Sequence, residues 1–160
     1  MTETERIIQR LKNDGHRFGI VLNPPSSESE LIRFKDELQI ELHSDIAEFY
    51  KKCNGFESDD YLFRVIPLKE IIENKSEFER GTFNFAEYLI YSDTWDLKID
   101  SNNKIYKIVN CNHKTDEPIR TWDSLHSFLD NYLDGTGLFG EQGLYTTNKS
   151  HQVKTSQQKI

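Results

Sequence analysis

The spacing of apolar residues changes along this chain from a helical pattern to a strand pattern and back again. The clearest helical stretch is residues 121–133, where apolar side chains recur at i, i+3, i+6, i+7, i+10 and i+11: Trp122, Leu125, Phe128, Leu129, Tyr132 and Leu133. This spacing places them on one broad face of a helix. Thr121 is predicted to cap this helix and Gly135 to end it.

The first third of the chain predicts three more helices. Thr2-x-x-Glu5 and Ser27-x-x-Glu30 have the spacing of a capping box, and an apolar stripe follows each of them. A third helix is predicted from about Ser44 to Asn54, and Gly55 should end it. The short apolar run at 17–23 between the first two helices is a candidate strand that Pro24 stops.

The middle of the chain predicts strands. Residues 61–67 and 87–93 are rich in aromatic and β-branched residues, and 96–110 resembles a hairpin whose turn is Ser101-Asn102-Asn103-Lys104. Helices at both ends with strands between them favour an α+β fold. A length of 160 residues suits one domain, predicted over 1–145, and residues 146–160 have no apolar period and are expected to form a flexible tail.

Charge and composition exclude several classes of function. With 27 acidic and 20 basic residues the formal net charge is −7, which disfavours binding to nucleic acid but permits a basic protein partner. No apolar run approaches the roughly 20 residues of a membrane helix, and the N-terminus lacks a signal-peptide core. Two cysteines do not form a disulfide framework. We therefore expect a soluble cytoplasmic protein without a membrane partner.

No catalytic, metal or cofactor site is predicted. The segment 135–140 reads G-x-G-x-x-G, but it follows a helix where a nucleotide site needs a preceding strand, so it is interpreted as a glycine-rich exit loop. Cys111 and His113 with Cys53 could supply three zinc ligands, yet nothing in their spacing requires a metal. Asp123, Ser124 and His126 are close in sequence only, which is not the logic of a catalytic triad.

Acidic patches are the stronger functional feature. Residues 57–60 read Glu-Ser-Asp-Asp, and several aspartates surround Trp95 in the segment 91–100. Acidic side chains beside an exposed aromatic suit recognition of a basic protein surface. The alternative interpretation is that Trp95 covers a sheet edge and the aspartates are simply solvated.

Four segments together carry a family resemblance: 41–56, 61–71, 88–108 and 121–133. The most specific residues are Phe49-Tyr50 followed by Asn54-Gly55. In this order the segments resemble the SMI1/KNR4 family, also called the SUKH superfamily, over about residues 25–135. His43 stands where the family usually has proline, and Thr121-Trp122 replaces the usual Ser-Phe.

The resemblance implies a fold and a function. The fold would be a single SUKH-like domain, with an antiparallel sheet of about four to six strands packed with N-terminal helices and one C-terminal helix. Many bacterial members resemble immunity proteins that block a cognate toxin, often a nuclease with a basic face, and other members resemble regulatory scaffolds that bind cellular proteins. The candidate partner-binding residues are Glu57, Asp59, Asp60, Asp93, Trp95 and Asp96.

Overall fold

Helices at both ends enclose a run of strands in the computed structural model, which describes residues 1–100, 102, 104–111, 114, 115 and 117–145. The α-helices and strands of this part of the chain are, in order, α1 (Glu3–Asp14), β1 (Val21–Leu22), α2 (Glu28–Leu38), α3 (Ser44–Lys52), β2 (Phe56–Glu57), β3 (Arg64–Val65), α4 (Leu68–Glu73), β4 (Thr82–Tyr88), β5 (Asp93–Asp100), β6 (Ile105–Cys111), β7 (Pro118–Trp122) and α5 (Leu125–Asp134). This confirms the α+β fold with N-terminal helices and one C-terminal helix. The predicted tail at 146–160 lies outside the described residues.

The strands form one sheet in sequence order, and each strand is antiparallel to the next. The described part of the chain has seven strands, one more than the upper end of the predicted range. The first three strands are only two residues long. Prolines follow β1 and β3 within two residues, and proline cannot donate to a strand ladder. The long strands β4, β5 and β6 therefore form the body of the sheet.

The predicted starts of the N-terminal helices are confirmed. The Thr2 hydroxyl accepts from Glu5 N at 3.0 Å, and Thr2 N donates to the Glu5 carboxylate at 3.0 Å, which completes a capping box. Ser27 accepts from Glu30 N at 3.2 Å at the start of α2. These caps satisfy N–H groups that have no partner within the helix.

The start of the C-terminal helix was predicted wrongly. Ser124, and not Thr121, caps α5, because its hydroxyl accepts from Ser127 N at 3.0 Å. Thr121 instead pairs with Val109 in the sheet, as part of β7. Trp122 also belongs to β7 and not to the helix. Its ring nevertheless packs edge-on against Phe128 of α5, with the ring centroids 5.0 Å apart, so it contributes to the same apolar face.

The strand predicted at 87–93 is also wrong. β4 ends at Tyr88, and Leu89, Ile90 and Tyr91 have φ values of 46°, 54° and 62°, so they form a left-handed turn before β5. The strand predicted at 61–67 shrinks to Arg64–Val65 because Tyr61 and Leu62 are left-handed as well. The composition of both segments is typical of strands, while glycine and asparagine are the usual residues at positive φ.

The core lies between one face of the sheet and the helices. Phe63 stacks on Tyr132 of α5 with ring centroids 4.4 Å apart, and Phe85 of β4 packs against Phe128 at 6.2 Å. Phe34 of α2 contacts Phe83 of β4 edge-on at 5.2 Å. Helices from both ends of the chain thus bury their apolar faces on the same side of the sheet.

The most specific residues of the family resemblance connect α3 to the strand region. Tyr50 donates its hydroxyl proton to Ile66 O at 2.8 Å, and Leu68 N donates to the Asn54 side chain at 3.0 Å. Gly55 has φ +78°, and a Cβ there would lie 2.2 Å from Val65 O. These three residues therefore set the fold and contribute no reactive group.

Candidate functional site

The six site residues predicted from the sequence do not form one cluster. Glu57 ends β2, Asp59 and Asp60 follow it, and the remaining three candidates belong to β5. Side chains alternate between the two faces of a strand, so neighbours on β5 point to opposite sides. Each residue therefore has a separate environment.

Glu57 and Asp59 are the exposed members of the set. Glu57 pairs with the exposed Val21 at the β1–β2 end of the sheet. The backbone N–H of Asp59 donates to Phe18 O at 2.8 Å, which fixes the loop without using the carboxylate. Among the described residues, neither carboxylate forms an ion pair, so both negative charges are presented to solvent.

Asp60 has a structural role despite its place in the same loop. Its carboxylate accepts from the Tyr132 hydroxyl at 2.7 Å and from Leu138 N at 2.8 Å. These bonds join the β2–β3 loop to α5 and to the glycine-rich segment that follows this helix. Burial, together with the hydrogen bond to Asp60, raises the pKa of Tyr132. Both donors bind the same oxygen of this carboxylate, Oδ2, so its charge is partly committed within the fold.

Trp95 is not an exposed anchor: its side chain is 0% exposed and packs edge-on against Phe63, with ring centroids 5.5 Å apart. Trp95 and Leu97 point into the core, so the aspartates around the tryptophan do not mark it as exposed. Asp93 accepts from the Asn110 side chain at 2.9 Å and from the Tyr145 hydroxyl. The expectation that Trp95 and Asp93 present a joint aromatic and acidic contact is thus corrected.

Asp96 lies on the opposite face of the sheet from Trp95. It accepts from the Asn84 side chain at 2.6 Å and from the Thr94 hydroxyl at 3.0 Å. It lines a groove of about 240 Å³ that Glu77 and Glu79 also line. Burial raises the pKa of Asp96, and its direct hydrogen-bond donors are neutral. The groove is polar and acidic.

Two left-handed turns lie side by side next to Asp59 and Asp60. Tyr61 and Leu62 have φ values of 53° and 57°, and Phe63 N donates to Asp60 O at 2.9 Å, which closes the β2–β3 hairpin. The backbone N–H of Leu89 donates to Tyr61 O at 3.0 Å and joins this hairpin to the β4–β5 turn. Non-glycine residues in this conformation cost roughly 1–2 kcal/mol each, so the rest of the fold must hold them there.

A partly buried charge network lies next to the two turns. Arg64 donates to Glu87, which is 2% exposed, and donates two hydrogen bonds to Glu70, one of them 2.8 Å long. Glu87 in turn accepts from Tyr91 N at 2.8 Å, which fixes the end of the β4–β5 turn. The hydrogen bonds from Arg64 lower the pKa of Glu70, while burial and Glu70 raise the pKa of Tyr91.

The two turns and the segment after α5 carry exposed apolar side chains that we call the apex surface: Tyr61, Leu62, Leu89, Ile90 and Phe139. Tyr61 meets Phe139 edge-on with ring centroids 4.9 Å apart. Contiguous exposed apolar side chains are typical of surfaces that contact other macromolecules. Sequence reasoning missed this surface because Leu89 and Ile90 were assigned to a strand.

The described residues offer little for chemistry. Within them no three His, Cys, Asp or Glu side chains are grouped as a metal site would require. Cys53 is buried and donates its thiol to Gly55 O at 3.0 Å, and burial raises its pKa to about 12, which disfavours the nucleophilic thiolate. None of the helices in the same ranges has the length and hydropathy to cross a bilayer.

Comparison with known proteins identifies a family for this chain. The family model described as "SMI1 / KNR4 family (SUKH-1)" matches residues 25–131. These residues run from the loop before α2 into α5 and include the Tyr50, Asn54 and Gly55 contacts described above. No curated protein matches the chain.

Proposed function

The chain belongs to the SMI1/KNR4 family (SUKH-1), and from this we propose that it is an immunity protein that neutralises a cognate bacterial toxin by binding directly to it. The proposed partner is a toxin domain with a basic face, such as the nucleic-acid-binding face of a nuclease. The proposed role is non-catalytic. It requires a stable complementary surface and no reacting group.

The acidic segment that begins at the end of β2 is the observation that carries the proposal. Glu57 and Asp59 are exposed and, within the described residues, form no ion pair, on a chain with a formal net charge of −7. Unneutralised carboxylates attract a basic partner over a distance of about one Debye length, roughly 8–10 Å, and speed up encounter. Asp60 supports the same segment from within by its bonds to Tyr132 and Leu138.

Coexpression with the neighbouring gene product tests the proposal. The gene beside this one is expected to encode a large secreted protein with a toxic C-terminal domain. That domain, purified with this chain carrying the only tag, should elute as one complex and lose its toxic activity. Separate elution of the two proteins with the toxin fully active would contradict the proposal. Retrieval of cellular signalling proteins instead would favour a regulatory scaffold.

A further inference from the structure

We propose that the apex surface is the apolar centre of the toxin-binding interface, and that it docks against an apolar patch of the toxin surrounded by lysine and arginine side chains. This inference rests on the proposed function and adds the position and the chemistry of the contact. Interfaces commonly have an apolar centre and a polar rim. The apex surface and the exposed acidic residues beside it have this arrangement.

One backbone hydrogen bond, one ring contact and one shared groove link the residues of the apex surface. The Leu89–Tyr61 backbone hydrogen bond joins the two turns, and the Tyr61 ring contacts the Phe139 ring. Leu62 and Ile90 line one groove of about 160 Å³. A partner side chain that enters this groove would therefore contact both turns at once.

Exposed apolar side chains are concentrated here. Ten large hydrophobic side chains of the described residues are exposed, and five of these ten belong to the apex surface. Ile90 is 80% exposed, more than any of the others except Met1. Such concentration at one end of the strands favours a binding role.

The backbone conformation strengthens this interpretation. Tyr61, Leu62, Leu89 and Ile90 all have positive φ, where asparagine or glycine would be the favoured residue. Each of these side chains is large and apolar, and their positions on the surface add little burial to the core. Residues that contradict the local backbone preference without a gain in packing are expected at functional positions.

The rim of the apex surface selects the kind of partner. Glu57 lines the same groove as Leu62 and Ile90, and Asp59 precedes the β2–β3 turn. Carboxylates in these positions would repel an anionic lipid surface, and they would face one another if two copies of this chain met at the patch. A protein with basic residues around an apolar patch avoids both penalties.

The experiment measures binding of the neighbour-encoded toxin domain to the full chain and to two variants by surface plasmon resonance. Ile90→Asn removes an apolar side chain and supplies a residue that accepts positive φ, so the variant should fold at least as well as the wild type. Ile32→Gln is the matched control, because Ile32 is an exposed isoleucine on α2. Thermal unfolding of both variants checks that they fold.

The expected result is a loss of affinity of about tenfold or more for Ile90→Asn and a change of less than about twofold for Ile32→Gln. Equal affinities for all three proteins would overturn the apex surface as the contact and leave the proposed function intact. Failure of the wild type to bind would remove the proposed function and this inference together. Size-exclusion chromatography of the same proteins would overturn the toxin contact if the wild type is a dimer that Ile90→Asn converts to a monomer.

Discussion

Arg64 donates a hydrogen bond to Glu87, a carboxylate on β4 that is almost completely buried. Glu87 also receives the backbone N–H of Tyr91, so the Arg64–Glu87 pair connects β3, β4 and the left-handed turn that begins at Leu89. These bonds hold in place the turn that carries the exposed Leu89 and Ile90. Such preorganisation reduces the entropy that a surface loses on binding.

Removal of the Arg64 guanidinium should destabilise the protein. Arg64→Met leaves Glu87 buried without its cationic partner, and loss of one partner of a buried pair costs about 3–5 kcal/mol in the free energy of unfolding. Urea denaturation measures this change. Arg33→Met is the control, because the Arg33–Glu37 pair lies on the exposed side of α2 and its loss should change the midpoint little. Equal losses for both variants would contradict the buried role of Glu87.

The same substitution should destabilise the protein strongly at Asp60 and hardly at all at Asp59. Asp60→Ala deprives the Tyr132 hydroxyl and Leu138 N of their acceptor, which should lower the free energy of unfolding by about 2–4 kcal/mol. Asp59→Ala removes only an exposed carboxylate and should change it by less than about 0.5 kcal/mol. Thermal and urea unfolding of the two variants provide the comparison. A large effect at Asp59 would show that its carboxylate has a structural partner.

Charge reversal should slow the association with a basic toxin domain. Glu57→Lys combined with Asp59→Lys should lower the association rate at low salt by about tenfold and flatten its dependence on ionic strength. Asp60 is unsuitable for this test because its substitution disturbs the fold. The control pair is Asp36→Lys with Glu41→Lys, which changes the net charge by the same amount. If stopped-flow kinetics show equal slowing by both pairs, net charge and not the position of Glu57 and Asp59 governs association.

The parts of the fold with local chemical signals could be predicted from the sequence. Thr2 and Ser27 mark helix starts because their hydroxyls and the following glutamates have fixed spacing. The pairing of β5 with β6 follows from alternation on both sides of the sequence Asn102-Asn103, a predicted turn that lies partly outside the described residues. In each case the interaction lies within a few residues of the chain.

The apolar half of the candidate site could not be predicted in this way. Leu89 and Ile90 carry no turn signal, and their left-handed backbone depends on Glu87, Arg64 and the carbonyl of Tyr61, which are brought together only by the sheet. Trp95 was misplaced for a different reason. Trp95 and Leu97 alternate with polar residues, which predicts that both side chains face the core. The prediction of an exposed Trp95 gave more weight to the neighbouring aspartates than to this alternation.

Alanine substitutions at Gly55 and Gly81 test why a glycine follows Asn54. Both have positive φ, +78° and +76°, but a Cβ at Gly55 would lie 2.2 Å from Val65 O, whereas at Gly81 the nearest atom is Ile99 O at 3.4 Å. Gly81→Ala should therefore cost only the backbone preference, about 1–2 kcal/mol. Gly55→Ala adds a clash with backbone and should cost at least about 3 kcal/mol. Similar unfolding midpoints for the two variants would show that β3 can move away from Gly55.

Asp96 should make stability depend on pH. Burial raises its pKa above 3.8, the value it has without the fold, and the charge of Asp93 adds to this rise. The hydrogen bonds from Asn84 and Thr94 and the charge of Lys98 offset only part of it. The folded state therefore binds the Asp96 proton more tightly than the unfolded state does. This contribution to stability is fully present below pH 3.8 and is lost as the pH rises through the raised pKa of the folded state.

Asp96→Asn should remove that loss, because its amide oxygen can still accept from Asn84 and Thr94 while the side chain stays neutral. The variant should be more stable than the wild type at pH 7, and the gain should shrink towards zero at pH 3. Urea denaturation at both pH values measures the difference. Asp36→Asn is the control, since it removes the same charge from an exposed site on α2. A gain for Asp96→Asn that is equal at pH 3 and pH 7 would mean that packing, and not the charge of Asp96, causes it.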